Sequence, residues 1–285
     1  MTEAVVRKRV QVDGAELDVL IGGRESGAGT ICTMHPFESM HAALPQLADS
    51  TRARVICVNP RGVGGSSPPG QAGESTLECM ADDLEAVRLA LGLGPWVIWG
   101  MSGGSMIAQV FAGRHPDALQ ALILDSAGPC FSMTLRDPDC VMSPSFPKWG
   151  VGLAAAGLTG DPHAGLNTAD TIWEEVPSVG WVLRRVSGPV LLVAPSAPSG
   201  EMRQAMPGLL AFDARPWLTA VRVPTLVLAG TADQVAPLAQ LRVLHEAIPG
   251  STLTAIEGAG HVPIAEKPTE VAKAVRTFLT ERVWT

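Results

Sequence analysis

Gly100-Met101-Ser102-Gly103-Gly104 sets a serine among small residues, directly after the apolar run Trp96–Trp99 and before Met106, Ile107, Val110 and Phe111, which recur at helical spacing. A tight strand-to-helix turn of this kind lifts the hydroxyl above a sheet, and the flanking glycines leave room for the turn. The N-terminus of the following helix favours an anion developing beside it. A serine hydroxyl is a weak nucleophile at neutral pH, so the chemistry also needs a base within hydrogen-bond reach and a third group to hold that base in one tautomer. The bland alternative is a Gly-rich turn with an incidental serine.

Two later loops offer the missing groups. Gly230-Thr231-Ala232-Asp233 follows the apolar run Thr225–Ala229, and Gly258-Ala259-Gly260-His261 follows Thr252–Ile256. Loops after the ends of parallel strands share one sheet edge, so Ser102, Asp233 and His261 can converge despite their separation in the chain. Asp125, at the end of the run Ala121–Asp125, is the competing acid. His41, His115, His163 and His245 have no HExxH or paired-ligand spacing and read as surface or packing residues. Asp82 and Asp83 read as the solvated side of a helix around Leu84. The Gly62–Gly65 turn has neither dinucleotide-site glycine spacing nor the Lys-Ser/Thr of a P-loop, so neither cofactor nor metal is expected.

The elements that must carry these groups are visible in the periodicity. Val10 and Val12, then Ala15, Leu17 and Val19, alternate around Asp13-Gly14 as a β-hairpin does. The runs Thr30–Met34, Val55–Asn59, Trp96–Trp99, Ala121–Asp125, Thr225–Ala229 and Thr252–Ile256 suit strands buried on both faces of a mostly parallel sheet. Between them Leu77, Met80, Leu84, Val87 and Leu91 form one helical stripe, as do Leu238, Leu241, Leu244 and Ile248, and Val271, Val275 and Phe278 after Pro268. From Pro129 to Trp217 this rhythm breaks into a Gly-, Pro-, Trp- and Met-rich segment with short helices expected around Ile172–Arg185 and Met202–Leu210. The division expected is a core of residues 1–129 and 218–285 with a cap inserted at 130–217. The strand-like Val190–Ala194 keeps open a continuous core instead.

With 46% hydrophobic and 17% charged residues the chain is too apolar for disorder, and its apolar runs are too short for a membrane span. A net charge of −7 offers no basic surface for phosphates, which excludes nucleic acid and leaves a small molecule, partly apolar, as the expected partner. Oligomeric state is not legible. Met1, Thr2 and Glu3 lead into a charged, strand-like stretch rather than the basic and apolar regions of a secretory signal. The odd set Cys32, Cys57, Cys79, Cys130 and Cys140 is expected as reduced thiols in the cytoplasm, with Cys32 and Cys57 as core packing and a Cys130–Cys140 pair left open.

Outside the proposed cap, the sequence resembles the α/β-hydrolase family. Gly230-x-x-Asp233-x-x-x-Pro237 resembles its acid loop, Gly260-His261 its histidine loop, and Asn59-Pro60-Arg61-Gly62-Val63-Gly64-Gly65-Ser66 its Arg-Gly-x-Gly-x-Ser loop, although aspartate often stands at the position of Asn59. With the serine turn, four such signals stand in the family's order. The resemblance implies an α/β fold with helices on both faces of the sheet. It also implies a triad of Ser102, Asp233 and His261, and an oxyanion hole from backbone N–H groups of Gly103 and of the loop His35-Pro36-Phe37. Proline has no N–H, so Phe37 is the expected second donor, and Pro36 departs from the family's usual glycine. The implied activity is hydrolysis of an ester or lactone through an acyl-enzyme. Serine at position 102 speaks against dehalogenase or epoxide hydrolase chemistry, which uses aspartate there.

Met133, Met142, Trp149, Trp173 and Trp181 suggest apolar substrate contacts in the cap, or equally a small core of its own. Ile172-Trp173-Glu174-Glu175 is similar to a Trp-Glu stretch in the cap of proline iminopeptidases, where acidic groups hold a free amine, which makes an aminopeptidase the second reading. Relatives on the same fold also act as lyases, accessory cyclases or hormone receptors.

Overall fold

A computed structural model describes residues 5–23, 29–36, 39–70, 74–140, 171–176, 180–185, 190–194 and 200–284, with only the backbone described within 171–204. The N-terminal alternation folds as expected into an antiparallel hairpin, β1 (Val6–Val12) and β2 (Ala15–Gly23), with Gly14 at φ 69° in the turn. The apolar runs become β3 (Thr30–Thr33), β4 (Arg54–Val58), β5 (Trp96–Met101), β6 (Leu119–Asp125), β10 (Thr225–Gly230) and β11 (Thr252–Ile256). These eight strands make one sheet in the order β1-β2-β4-β3-β5-β6-β10-β11. The pairs β1/β2 and β2/β4 are antiparallel and all others parallel.

The helical stripes set the second layer. α1 (Leu44–Thr51), α2 (Leu77–Ala90) and α3 (Gly103–Arg114) precede the break in rhythm. Around it lie α4 (Phe131–Thr134), α5 (Gly200–Ala211) and α6 (Arg215–Leu218), followed by α7 (Leu238–Ala247), α8 (Pro263–Glu266) and α9 (Pro268–Arg282). Leu77, Met80 and Leu84 of α2, Ile107 and Phe111 of α3, and Leu241 and Leu244 of α7 join one core cluster. Leu44 and Leu47 of α1 and Val271, Val275 and Phe278 of α9 join the other. Alternate residues of β5 point into opposite clusters, with Trp96 and Ile98 in the first and Val97 and Trp99 in the second, so the sheet is covered on both faces.

Two expectations need correction. The segment around Ile172–Arg185 is not helical: β7 (Thr171–Val176), β8 (Gly180–Arg185) and β9 (Val190–Ala194) form a separate three-stranded antiparallel sheet. Its Val, Ile, Trp and Thr content favours extended backbone over helix. Asp83 is also not solvated. It is buried under the Arg61 side chain, whose Nε and NH2 groups donate to its two carboxylate oxygens at 3.0 and 2.9 Å. Asp82 is partly exposed and pairs with Arg114 and His115.

Candidate active site

Four adjacent parallel strands end at the site. Ser102 follows β5, Asp125 closes β6, Asp233 lies three residues beyond β10, and His261 lies five residues beyond β11. Ser102 has φ 52° and ψ −120°, a conformation that a residue with a side chain adopts only when its surroundings force it. Those surroundings are the neighbouring glycines. A Cβ on Gly100 would collide with the Gly104 carbonyl oxygen, and one on Gly104 with the Met34 carbonyl oxygen. The Ser102 N–H is fixed by the Asp125 carbonyl oxygen at 2.9 Å, and α3 starts at the next residue.

Strands lie about 4.8 Å apart, so the loop after β11 must reach back across two strands, roughly 14 Å, to meet Ser102. It does so packed on the loop after β10: Thr231 N donates to Ile256 O at 3.1 Å and Ala232 N to Ala259 O at 2.8 Å. Gly258 N donates to Thr231 Oγ1 at 2.8 Å. A Cβ on Gly230 would strike the carbonyl oxygens of Ala259 and Gly260, which explains the glycine there. This packing brings the three expected residues together. His261 Nε2 lies 3.0 Å from Ser102 Oγ, and His261 Nδ1 lies 2.9 Å from Asp233 Oδ2. The other Asp233 oxygen accepts from Val235 N at 2.8 Å and Ala236 N at 2.9 Å, so the carboxylate is held from both sides.

Burial favours the neutral ring of His261, but the carboxylates around it, Asp233 foremost, together outweigh it and raise the imidazole pKa above its ordinary 6.5. His35 is shifted the other way. Burial, with a smaller push from His261, lowers its pKa to about 3 and keeps it neutral. Asp125 is fully buried, and burial pushes its carboxyl up to about 7 against the pull of the Ser126 hydroxyl, which donates to its Oδ1 at 2.9 Å. Asp125 makes no hydrogen bond to His261 among those of the described residues.

Residues 27–160 and 195–268 match the sequence pattern of the family described as the alpha/beta hydrolase fold. The chain belongs to that family. This alpha/beta hydrolase is 28% identical over 191 residues to a pimeloyl-[acyl-carrier protein] methyl ester esterase of Aromatoleum aromaticum, covering 62% of the chain and 70% of that protein. It is 25% identical over 282 residues to a probable proline iminopeptidase of Leptolyngbya boryana, covering 87% and 82%. In structure it is similar to an alpha/beta fold family hydrolase from Bacillus anthracis, with a TM-score of 0.77 at 20% identity over 96% of this chain and 99% of that one.

The other expected residues fall out as follows. Gly103 opens α3 beside Pro36; a Cβ on it would lie 2.6 Å from Pro36 Cγ, so the start of α3 touches the loop after β3. Phe37, His163, Met142 and Trp149 lie outside the described residues, as do the side chains of Trp173, Glu174, Glu175 and Trp181. Met133 is half-buried at the end of α4. His41 is exposed, His115 bonds to Asp82 Oδ1 at 2.7 Å, and His245 bonds to Ser251 Oγ at 2.7 Å. Cys130 and Cys140 are buried and not joined by a disulfide, and Cys140 donates to Val235 O at 3.2 Å.

Among the described residues of this alpha/beta hydrolase, no group of His, Cys, Asp and Glu is placed to hold a metal ion, and no helix is long and apolar enough to cross a membrane. The Arg-Gly-x-Gly-x-Ser loop is built as a brace. Arg61 holds Asp83, Glu74 and the Asp13 carbonyl, while the Asp18 carboxylate accepts from Asn59 Nδ2 at 2.9 Å and Gly65 N at 3.0 Å. Where the family often has aspartate, this chain has Asn59, whose amide donates to a carboxylate of β2 at a sequence distance that no local motif reveals.

Proposed function

We propose that this protein is a serine hydrolase that cleaves a carboxylic ester or lactone through an acyl-enzyme, with Ser102 as nucleophile, His261 as general base and Asp233 as the orienting acid. The observation that carries the reading is the unbroken chain of contacts from Ser102 Oγ through both nitrogens of His261 to Asp233. In this mechanism Ser102 Oγ attacks the substrate carbonyl carbon as its proton passes to His261 Nε2. The carbonyl π electrons move to oxygen, where the N–H groups of Gly103 and Phe37 stabilise the charge, a contribution of roughly 3 kcal/mol per donor. Collapse expels the alkoxide, which takes the proton from His261. Water, deprotonated by the same nitrogen, then attacks the acyl carbon; the bond to Ser102 Oγ breaks as that oxygen takes the proton back from His261, and the acid leaves, while Asp233 stays ionised and stabilises the imidazolium.

Residues 130–217 act in this reading as a cap that selects the substrate, with Met133, Met142, Trp149, Trp173 and Trp181 offering apolar contacts. Five cysteines, none of them in a disulfide, support a cytoplasmic setting. Aminoacyl amide hydrolysis is the second reading, favoured by the proline iminopeptidase relative that spans most of the chain. Stoichiometric labelling of the purified protein by a fluorophosphonate at Ser102, absent in Ser102→Ala, tests the activated serine. A panel of neutral esters, lactones and aminoacyl amides then separates the readings. A protein whose Ser102 does not label would sink both.

A further inference from the structure

His261 stands at the tip of a loop that has left its own strand and crossed above two others, so its peptide flanks have no ladder partners. The next turn supplies them. After His261 the chain curls through α8, with Ala265 N and Glu266 N both donating to Val262 O at 3.0 and 3.1 Å. That curl returns the Glu266 carboxylate to the histidine: Oε2 accepts from Gly260 N at 2.9 Å and Oε1 from Val262 N at 3.1 Å. One side chain therefore grips the peptide N–H immediately before His261 and the one immediately after it. We infer that Glu266 is a positioning residue for the base, a two-point clamp that fixes where His261 Nε2 meets Ser102. The inference rests on the serine hydrolase reading.

The clamp has an electrostatic side as well. The groups around the imidazole are Asp233 from the loop after β10, Asp125 at the end of β6, His35 from the loop after β3, and Glu266. His35 is neutral, whereas the negative charge of Glu266 favours the imidazolium, adding to the larger effect of Asp233. A backbone strut would hold the loop without this charge. Removing the carboxylate should therefore loosen the geometry and move the acid limb of the pH profile toward lower pH.

The test is a graded pair in the full-length protein. Glu266→Gln keeps the size but offers one oxygen and an NH2 group, so one backbone N–H is left facing a donor; Glu266→Ala leaves both without the carboxylate. Each variant, and Glu270→Gln as an exposed control on α9, is assayed on a p-nitrophenyl ester for kcat, KM and the pH dependence of kcat/KM, with melting temperature recorded. A misplacement of about 1 Å can cost on the order of 100-fold in rate, so kcat should fall roughly tenfold in Glu266→Gln and further in Glu266→Ala. KM should stay near the wild-type value, and the acid limb should move down in both. Folded variants with wild-type kcat and an unmoved acid limb would overturn the inference while labelling at Ser102 leaves the hydrolase reading standing. Failure of both variants to fold would assign Glu266 to stability alone and likewise overturn it. No labelling of the wild-type protein at Ser102 would remove the hydrolase reading and the inference together.

Discussion

The Asp233 carboxylate is divided between two tasks: Oδ2 holds His261 Nδ1 at 2.9 Å, and Oδ1 is taken up by the N–H groups of Val235 and Ala236. Neither oxygen can leave its position without breaking the other's bonds. Asp233→Asn keeps the shape but presents an NH2 group to one of these donors or to the wrong imidazole tautomer. Ester turnover should fall by roughly 10,000-fold. Because Asp233 contributes most to lifting the His261 pKa, the acid limb of the residual kcat/KM profile should also move to lower pH. A profile measured on the variant that keeps the wild-type limb would place the orienting charge elsewhere.

Ser102→Ala and His261→Ala should each reduce p-nitrophenyl ester hydrolysis by about a millionfold, and the double variant should be hardly worse, because both remove the same proton-coupled attack. Additive losses would show that the two side chains act in separate steps. Assaying the three purified proteins side by side decides between these outcomes.

Asp125 predicts a stability effect rather than a catalytic one. Its carboxyl pKa is raised in the folded chain from 3.8 to about 7. Between those values the native protein keeps a proton that the unfolded chain has released, so the group's contribution to stability falls as pH rises through that window. Asp125→Asn removes the titration. The melting temperature of the variant relative to wild type should therefore climb by a few degrees between about pH 4 and pH 8. Its turnover should remain well above that of Asp233→Asn. If the melting difference is flat across the range, Asp125 is not held protonated.

Arg61 is the fourth test. Its guanidinium is buried against Asp83, so Arg61→Ala leaves that carboxylate without its partner and should destabilise the fold by about 3–5 kcal/mol in urea titrations. Replacing both residues, as in Arg61→Met with Asp83→Leu, should recover most of that loss. A double variant as weak as the single would mean that the Glu74 and Asp13 contacts matter more.

Ser102, Asp233 and His261 could be picked out of the sequence because each sits in a short loop directly after a buried apolar run, and such loops share the carboxyl edge of a parallel sheet. The sheet and its two helix layers were legible for the same reason: fully buried strands such as Trp96–Met101 and one-sided helices such as Leu77–Ala90 have distinct periods. What stayed hidden depends on distant partners. Asp83 looks solvated beside Asp82 until Arg61, 22 positions earlier, closes over it. Asp18 stands 41 positions from the Asn59 amide it holds. Glu266 reads as one more charge before Lys267-Pro268, because a bond to a peptide N–H leaves no residue-type signature. In Thr171–Arg185 the β-branched and aromatic residues outweigh the helix formers, and antiparallel pairing with Val190–Ala194 completes the small sheet.

Ser102 and His261 are separated by 159 positions. At roughly 5–20 residues per second, a ribosome needs about 8–32 s to add that length of chain. During that interval the elbow strand, its helix and the first half of the sheet can already be in place, yet Ser102 carries an ordinary alcohol. On the proposed mechanism, reactivity arrives only when the loop after β11 docks across two finished strands. A chain that lacks His261 should, on that mechanism, not label with a fluorophosphonate, so the appearance of labelling would report that the loop after β11 has been made and docked.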